Sequence, residues 1–385
     1  MKRSCCLSLL LIPAVVLSCR QSETAGRETI PFVRQVAADS AGTFSIVKSY
    51  RESGPRGSIA VIGEPESTLL LTERFLTADV FDNIDGRRKP DGLPDFSGEV
   101  FDMLMDRMYE PYEHFVGSDL DSLREMTVRY ALAAVDTVCL SSPFNPDLKL
   151  RKHSSKILVL TSSLCSEYGH FDVDTLFQMA GKRISLIDPV RAMFTAASDG
   201  RVGVQHFGVW ASREVIDAGA YQAVFRRRYH DGSTLSAFCP AAEGDLSARF
   251  RDFLRQYREG ASGPLTALLL DDYGVDPSFI AREIDRIRTQ ATEEDVALSR
   301  IISPEFRCIE PMGAITSACY RILRRDNRFT HDIAYPRARF YQTEESENGD
   351  PVMIELSDRY LASEIDSFMD VNTLTTKAFY VQDQY

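Results

Sequence analysis

The sequence predicts an α/β protein with mainly parallel sheets, because short β-branched or Leu-rich runs alternate with amphipathic helical windows from residue 58 onward. A chain of 385 residues predicts about two domains, each large enough to bury a core, at roughly 100–200 residues per domain. Hydrophobic residues make up 44% and charged residues 26%, which excludes collagen, coiled-coil and low-complexity classes.

The first element is an address. Lys2 and Arg3 precede an apolar run, Leu7 to Leu17, shorter than the ~20 residues that span a bilayer and fitting a signal-peptide core. The run ends Val16-Leu17-Ser18-Cys19, which resembles a bacterial lipobox, implying a lipid-modified (palmitate-bearing) Cys19 and cleavage just before it. Residues 1–18 are read as a lipoprotein signal peptide and 19–45, rich in Ser, Thr, Ala, Gly and Gln, as a tether. The expectation is an exported chain, lipid-anchored to the cell envelope at the periplasmic face or outer membrane.

Strands are predicted at Ile59 to Ile62, Ile157 to Thr161, Ile184 to Ile187, Val202 to Gln205, Leu235 to Cys239, Leu265 to Leu270 and Cys308 to Ile309. Helices are predicted near 98–110, 119–134, 173–180, 190–197, 212–229, 244–258, 277–290 and 313–325. Asp172 is read as the cap of the helix that Gly181 ends, and Asp276-Pro277 puts proline where a first turn accepts it. The basic end of the 212–229 helix, Arg226-Arg227-Arg228, suits the dipole there. Residues 82–96 are dense in turn formers and predict a long ordered loop or a hairpin. An EF-hand is excluded there, since Phe81 and Gly92 stand where acidic ligands are needed.

The domain reading is 46–150 for the N-terminal part of the first domain, 151–300 for the second, 301–330 for a return to the first and 331–385 for a C-terminal extension. A formal net charge of −12 argues against nucleic acid as a partner. Beyond Cys5, Cys6 and Cys19, five cysteines remain, Cys139, Cys165, Cys239, Cys308 and Cys319. With no CxxC or Cys/His spacing they predict buried thiols and no metal site.

A set of local sequences then gives a resemblance. Phe75-Leu76-Thr77, Phe81-Asp82-Asn83, the Pro90 to Glu99 loop, Asp106 with Pro111-Tyr112, Tyr168-Gly169, Asp188-Pro189, Gly219-Ala220-Tyr221, and Ile309-Glu310-Pro311 leading into Ala318 to Leu323 occur in an order similar to the aspartate/glutamate racemase superfamily, its long glutamate-racemase-like branch in particular. The resemblance covers roughly residues 58 to 325. It implies two similar α/β domains facing across a cleft, an amino-acid ligand between them and no cofactor. It also implies racemisation by two cysteines, one per domain, acting as base and acid on opposite faces of Cα.

The motif positions depart from that chemistry. Gly63-Glu64 stand at the Asp-Ser pair of the first strand, Ser162-Ser163-Leu164 at the Cys-Asn-Thr motif, and Asp271-Asp272-Tyr273-Gly274 at Gly-Cys-Thr-His. Neither catalytic cysteine is retained, and Cys165 lies three residues past the first motif. No residue is therefore assigned as catalytic. The ligand-binding candidates are Glu64, Asp106, Tyr112, Ser162, Ser163, His206, Asp271 and Asp272, with Cys19 for lipid. Their chemistry admits a small carboxylate, a cation or an amino acid.

The function expected is that of a catalytically degenerate envelope protein that binds a small ligand or serves as a scaffold. The rivals are an active glutamate or aspartate racemase, or related isomerase or lyase, using Asp272 with Ser162 or Cys165, and a solute-binding lipoprotein.

Overall fold

The computed structural model describes residues 28–39, 42–52, 54–141, 149–240, 244–290, 292–330, 332, 334–345 and 351–355. The signal peptide, the lipidation at Cys19, the first part of the tether and residues 356–385 lie outside them.

Two sheets organise the fold. The first has eight strands in the order β4-β3-β12-β11-β2-β1-β5-β6. These are β1 (Ser58–Gly63), β2 (Val100–Met105), β3 (Val138–Leu140), β4 (Lys149–Arg151), β5 (Ser155–Leu160), β6 (Ser185–Ile187), β11 (Arg337–Glu345) and β12 (Pro351–Glu355). The second has four, β10-β9-β7-β8, from β7 (His206–Trp210), β8 (Thr234–Phe238), β9 (Leu265–Leu270) and β10 (Ile302–Ile309). Every pairing in the second sheet is parallel, as are β11-β2-β1-β5-β6 in the first. The α/β class and the mainly parallel sheets are as predicted.

β1, β5 and β9 bury nearly every position, because helices cover both faces of a parallel sheet and leave no polar face to alternate. One face of the first sheet shares a core with the second. Ile59, Val61, Val159, Val209 and Leu269 pack there with α3 (Pro65–Thr77), α7 (Pro189–Ser198) and α13 (Pro311–Arg325). The other face lies under α4 (Leu120–Val135), α5 (Ser163–Tyr168) and α6 (His170–Met179). The second sheet's outer face is covered by α10 (Leu246–Gly260), α11 (Pro277–Thr289) and α12 (Glu293–Arg300). No helix among the described residues is long and apolar enough to cross a membrane.

Several expectations are corrected. The 98–110 helix is β2: its run Val-Phe-Asp-Met-Leu-Met lacks a polar face, and a short apolar run has no period to separate strand from helix. The Val202 strand begins instead at His206, and Gly219, left-handed at φ 72, breaks the 212–229 helix into α8 (Arg213–Ala218) and α9 (Ala220–Arg228). Asp172 sits inside α6, fully buried, and accepts from Arg124, Thr29 and the Ile30 amide. The later part of the proposed tether is folded: α1 (Pro31–Ala38) and α2 (Phe44–Ser49) bury Val33, Val36, Phe44 and Val47 on the core.

By sheet membership, β5 and β6 pair in the first sheet and β10 pairs in the second. β11 and β12, from the stretch read as a C-terminal extension, insert between β2 and β3. Asp276 caps α11 with Pro277 in the first turn, as expected. Residues 82–96 form a loop tied to itself and to the residues before it by carboxylates: Asp95 accepts from Val80 and Phe81, Asp79 from Asp91 and Gly92, and Asp91 from Asn83 and Leu93.

Candidate functional site: the strand-end crevice

Parallel strands deliver the residue after each strand to one end of the sheet. The ladder is prolonged there by backbone bonds: Asp106 N to Gly63 O at 2.8 Å, Thr161 N to Ile62 O at 3.0 Å, and Asp271 N to Trp210 O at 2.8 Å. The ends of the two sheets meet. Tyr273, just past β9, donates from its hydroxyl to the Thr161 carbonyl past β5 at 2.7 Å, joining the two walls. On the first wall, Thr161 Oγ1 shares a hydrogen bond with Ser67 Oγ at 2.7 Å. A side chain at Gly63 has no room there, since a Cβ would stand 1.7 Å from Thr161 Oγ1.

Carboxyl groups surround the bridge. Glu64, opening α3, accepts from the Tyr112 amide at 3.1 Å. Burial, then Glu113, Glu110 and Asp106, push its pKa up to about 7. Asp106 is fully buried; its Oδ1 accepts from Tyr130 at 2.5 Å and from the Met108 amide at 2.9 Å, and burial raises its pKa. Asp271 is pushed up to about 6 by burial, which outweighs the Ser163 and Tyr221 hydroxyls beside it. Glu310, opening α13, accepts from Gly313 N at 2.6 Å, and burial raises its pKa against the pull of Arg74. Burial, then Asp271, Glu310 and Glu64, hold the Tyr273 phenol well above its usual range.

The hydroxyls of the lining serve its acids: Tyr112 acts on Asp106, and Ser163 and Tyr221 act on Asp271.

Most of the sequence candidates converge here, in altered roles. Ser163 faces Asp271 across the crevice, whereas Ser162 caps α5 through Leu164 N at 3.3 Å. The buried acid is Asp271; Asp272 closes a turn on Gly274 N at 3.0 Å. Cys165 is buried within α5, its thiol held by Thr127 and pushed up to about 12 chiefly by burial. His206 is displaced from the crevice: it opens β7 at the opposite end of the sheet and pairs Nδ1 with Thr234 Oγ1 at 2.8 Å. Tyr221, Glu310 and Tyr273 were legible as framework or motif positions but not as site residues; their signal was their place after a parallel strand or at a helix start.

No three His, Cys, Asp or Glu side chains among the described residues converge as metal ligands do. No family model matches the chain. No curated protein matches it either. Among solved structures it is similar to glutamate racemases. That of Francisella tularensis, in complex with D-glutamate, is 13% identical, covers 82% of this chain and 94% of its own, and has a TM-score of 0.49. Those of Bacillus anthracis (12%, covering 75% and 89%, TM-score 0.45) and Thermus thermophilus with β-chloro-D-alanine (15%, 77% and 91%, 0.44) are alike. The likeness is one of fold and carries no inference about activity.

Proposed function

We propose that the chain is an exported protein of the bacterial cell envelope, held to the membrane through lipid on Cys19, whose racemase-like fold binds a small ligand or serves as a scaffold without racemising it. The observation that carries this reading is the Tyr273 bridge. Racemisation needs an acid and a base on opposite faces of one carbon, with the carbon between them. Here the space between the walls is crossed by a phenol bonded to Thr161, Ser162 and Ser163 stand at the first thiol motif, and Asp271 and Asp272 at the second. Cys165 is buried with a thiol too weakly acidic to ionise near neutrality.

Incubating the full chain with L- or D-glutamate, followed by chiral chromatography, leaves each enantiomer unchanged under this reading; appearance of the opposite enantiomer overturns it. For the anchor, Cys19→Ala moves the protein from the membrane to the soluble fraction. A second reading, an isomerase or lyase with a carboxylate base, draws on Asp271 near 6 and Glu64 near 7, both able to exchange protons near neutrality.

A further inference from the structure

We propose that the segment following β12 docks in a groove at the start of the first sheet, setting Leu361, Ile365, Phe368 and Met369 against its aromatic wall. The groove has a volume of about 710 Å³ and lies at the end of the sheet opposite the crevice, with Ser97, just before β2, in its lining. Tyr320 and Arg324 of α13 line it together with Leu93, Pro94, Phe329 and Tyr335. Three of the eight large apolar side chains exposed among the described residues gather here. Tyr335 is 70% and Leu93 58% exposed at the groove itself, and Ile84, 90% exposed, accepts at its carbonyl from Arg324 at 3.2 Å. Single exposed apolar residues are ordinary, whereas several around one concave surface mark a docking face.

The chain itself supplies the occupant. β12 runs antiparallel to β11 with Glu355 opposite Tyr341, so the chain leaves β12 toward the start of β11 and the groove residue Tyr335 just before it. Tyr335 lies six positions before Tyr341, and six positions past Glu355, about 20 Å of extended chain, bring the segment to Leu361. From there Leu361, Ile365, Phe368 and Met369 recur at i, i+4, i+7 and i+8, the spacing of one apolar helix face that fits a groove. Charge agrees: residues 361–370 carry Glu364, Asp366 and Asp370 and no Lys or Arg. Arg88 and Lys89 stand on the lip between the lining residues Asn83 and Gly92, with Arg324 inside. The acids of that lip are engaged locally, Asp82, Asp91 and Asp95 by backbone amides and Asp85 by Arg87 at 3.5 Å. A covalently attached segment is present at an effective concentration on the order of millimolar, which favours it over a separate partner.

The test puts the photo-cross-linking residue p-benzoylphenylalanine in place of Phe368 in the full chain, irradiates it in mild detergent at low protein concentration and maps the cross-linked peptides. The expected product has the mass of a single chain and joins position 368 to the peptides holding Leu93, Phe329 or Tyr335. A folded protein that gives no link to those peptides overturns the proposal, and a link found only at twice the chain mass overturns it in favour of a second copy in the groove. A second readout follows trypsin cleavage at Arg359 and Lys377, the basic residues of the segment. Tyr335→Asp and Leu93→Asp change exposed side chains and leave the core intact, and each is expected to speed that cleavage by about tenfold by releasing the segment. Cleavage at the parent rate in both variants overturns the docking.

Discussion

The Tyr273 hydroxyl donates to the Thr161 carbonyl at 2.7 Å, so the end of β9 is tied to the end of β5 across the crevice where the two sheets face. The bond takes a backbone acceptor, which no substitution at Thr161 removes. Tyr273→Phe deletes the donor and leaves a buried carbonyl without it, and is expected to lower stability by about 1–2 kcal/mol, read by denaturant unfolding.

Glu64 near 7 and Asp271 near 6 have a stability consequence whose sign is opposite to that of an ion-paired carboxylate. Their folded-state values lie above those of the unfolded chain, so the folded protein binds more protons between about pH 4 and 7 and loses stability as pH rises through that window. Glu64→Gln and Asp271→Asn are therefore expected to raise Tm at pH 8 and to change it little at pH 4. An equal shift at both pH values contradicts this.

The N-terminal helices are latched through Asp172. Arg124 donates to both its oxygens, at 2.6 and 3.0 Å, while Thr29 and Ile30 bond the same carboxylate. Arg124→Ala leaves that fully buried carboxylate without its cation and is expected to cost about 3–5 kcal/mol, with residues 28–50 becoming protease-sensitive first.

Cys165 is expected to resist maleimide labelling in the folded chain at pH 8 and to react once unfolded, because its thiol is buried and pushed up to about 12. Labelling of native Cys165 at the rate of a free thiol contradicts the structural role given to it.

Much of the fold was legible because parallel strands announce themselves as apolar runs between capped helices, as β5, β9 and the Asp276-Pro277 start of α11 show. β2 was not, since its six residues have no polar alternation. Nor was the insertion of β11 and β12 beside β2, a long-range pairing that leaves no local mark. In the site, Glu64 and Ser163 were legible because they follow predicted strands, whereas Asp106 was marked by the resemblance alone, since the run before it reads as a helix. The choice between Asp271 and Asp272 turns on which side chain points inward, a one-residue matter that spacing alone does not fix. Tyr273 was hidden because its role is to reach across to a carbonyl 112 residues away.

The measurement that tests the central claim most directly is proton NMR of the full chain in D2O with L- and D-glutamate and L- and D-aspartate, following the Cα proton. It detects proton abstraction from either face, even without net inversion. A crevice bridged by Tyr273 and without its thiols predicts that the Cα signals persist unchanged alongside a folded protein. Protein-dependent loss of the signal, abolished by Asp271→Asn, contradicts the account and makes Asp271 a working base.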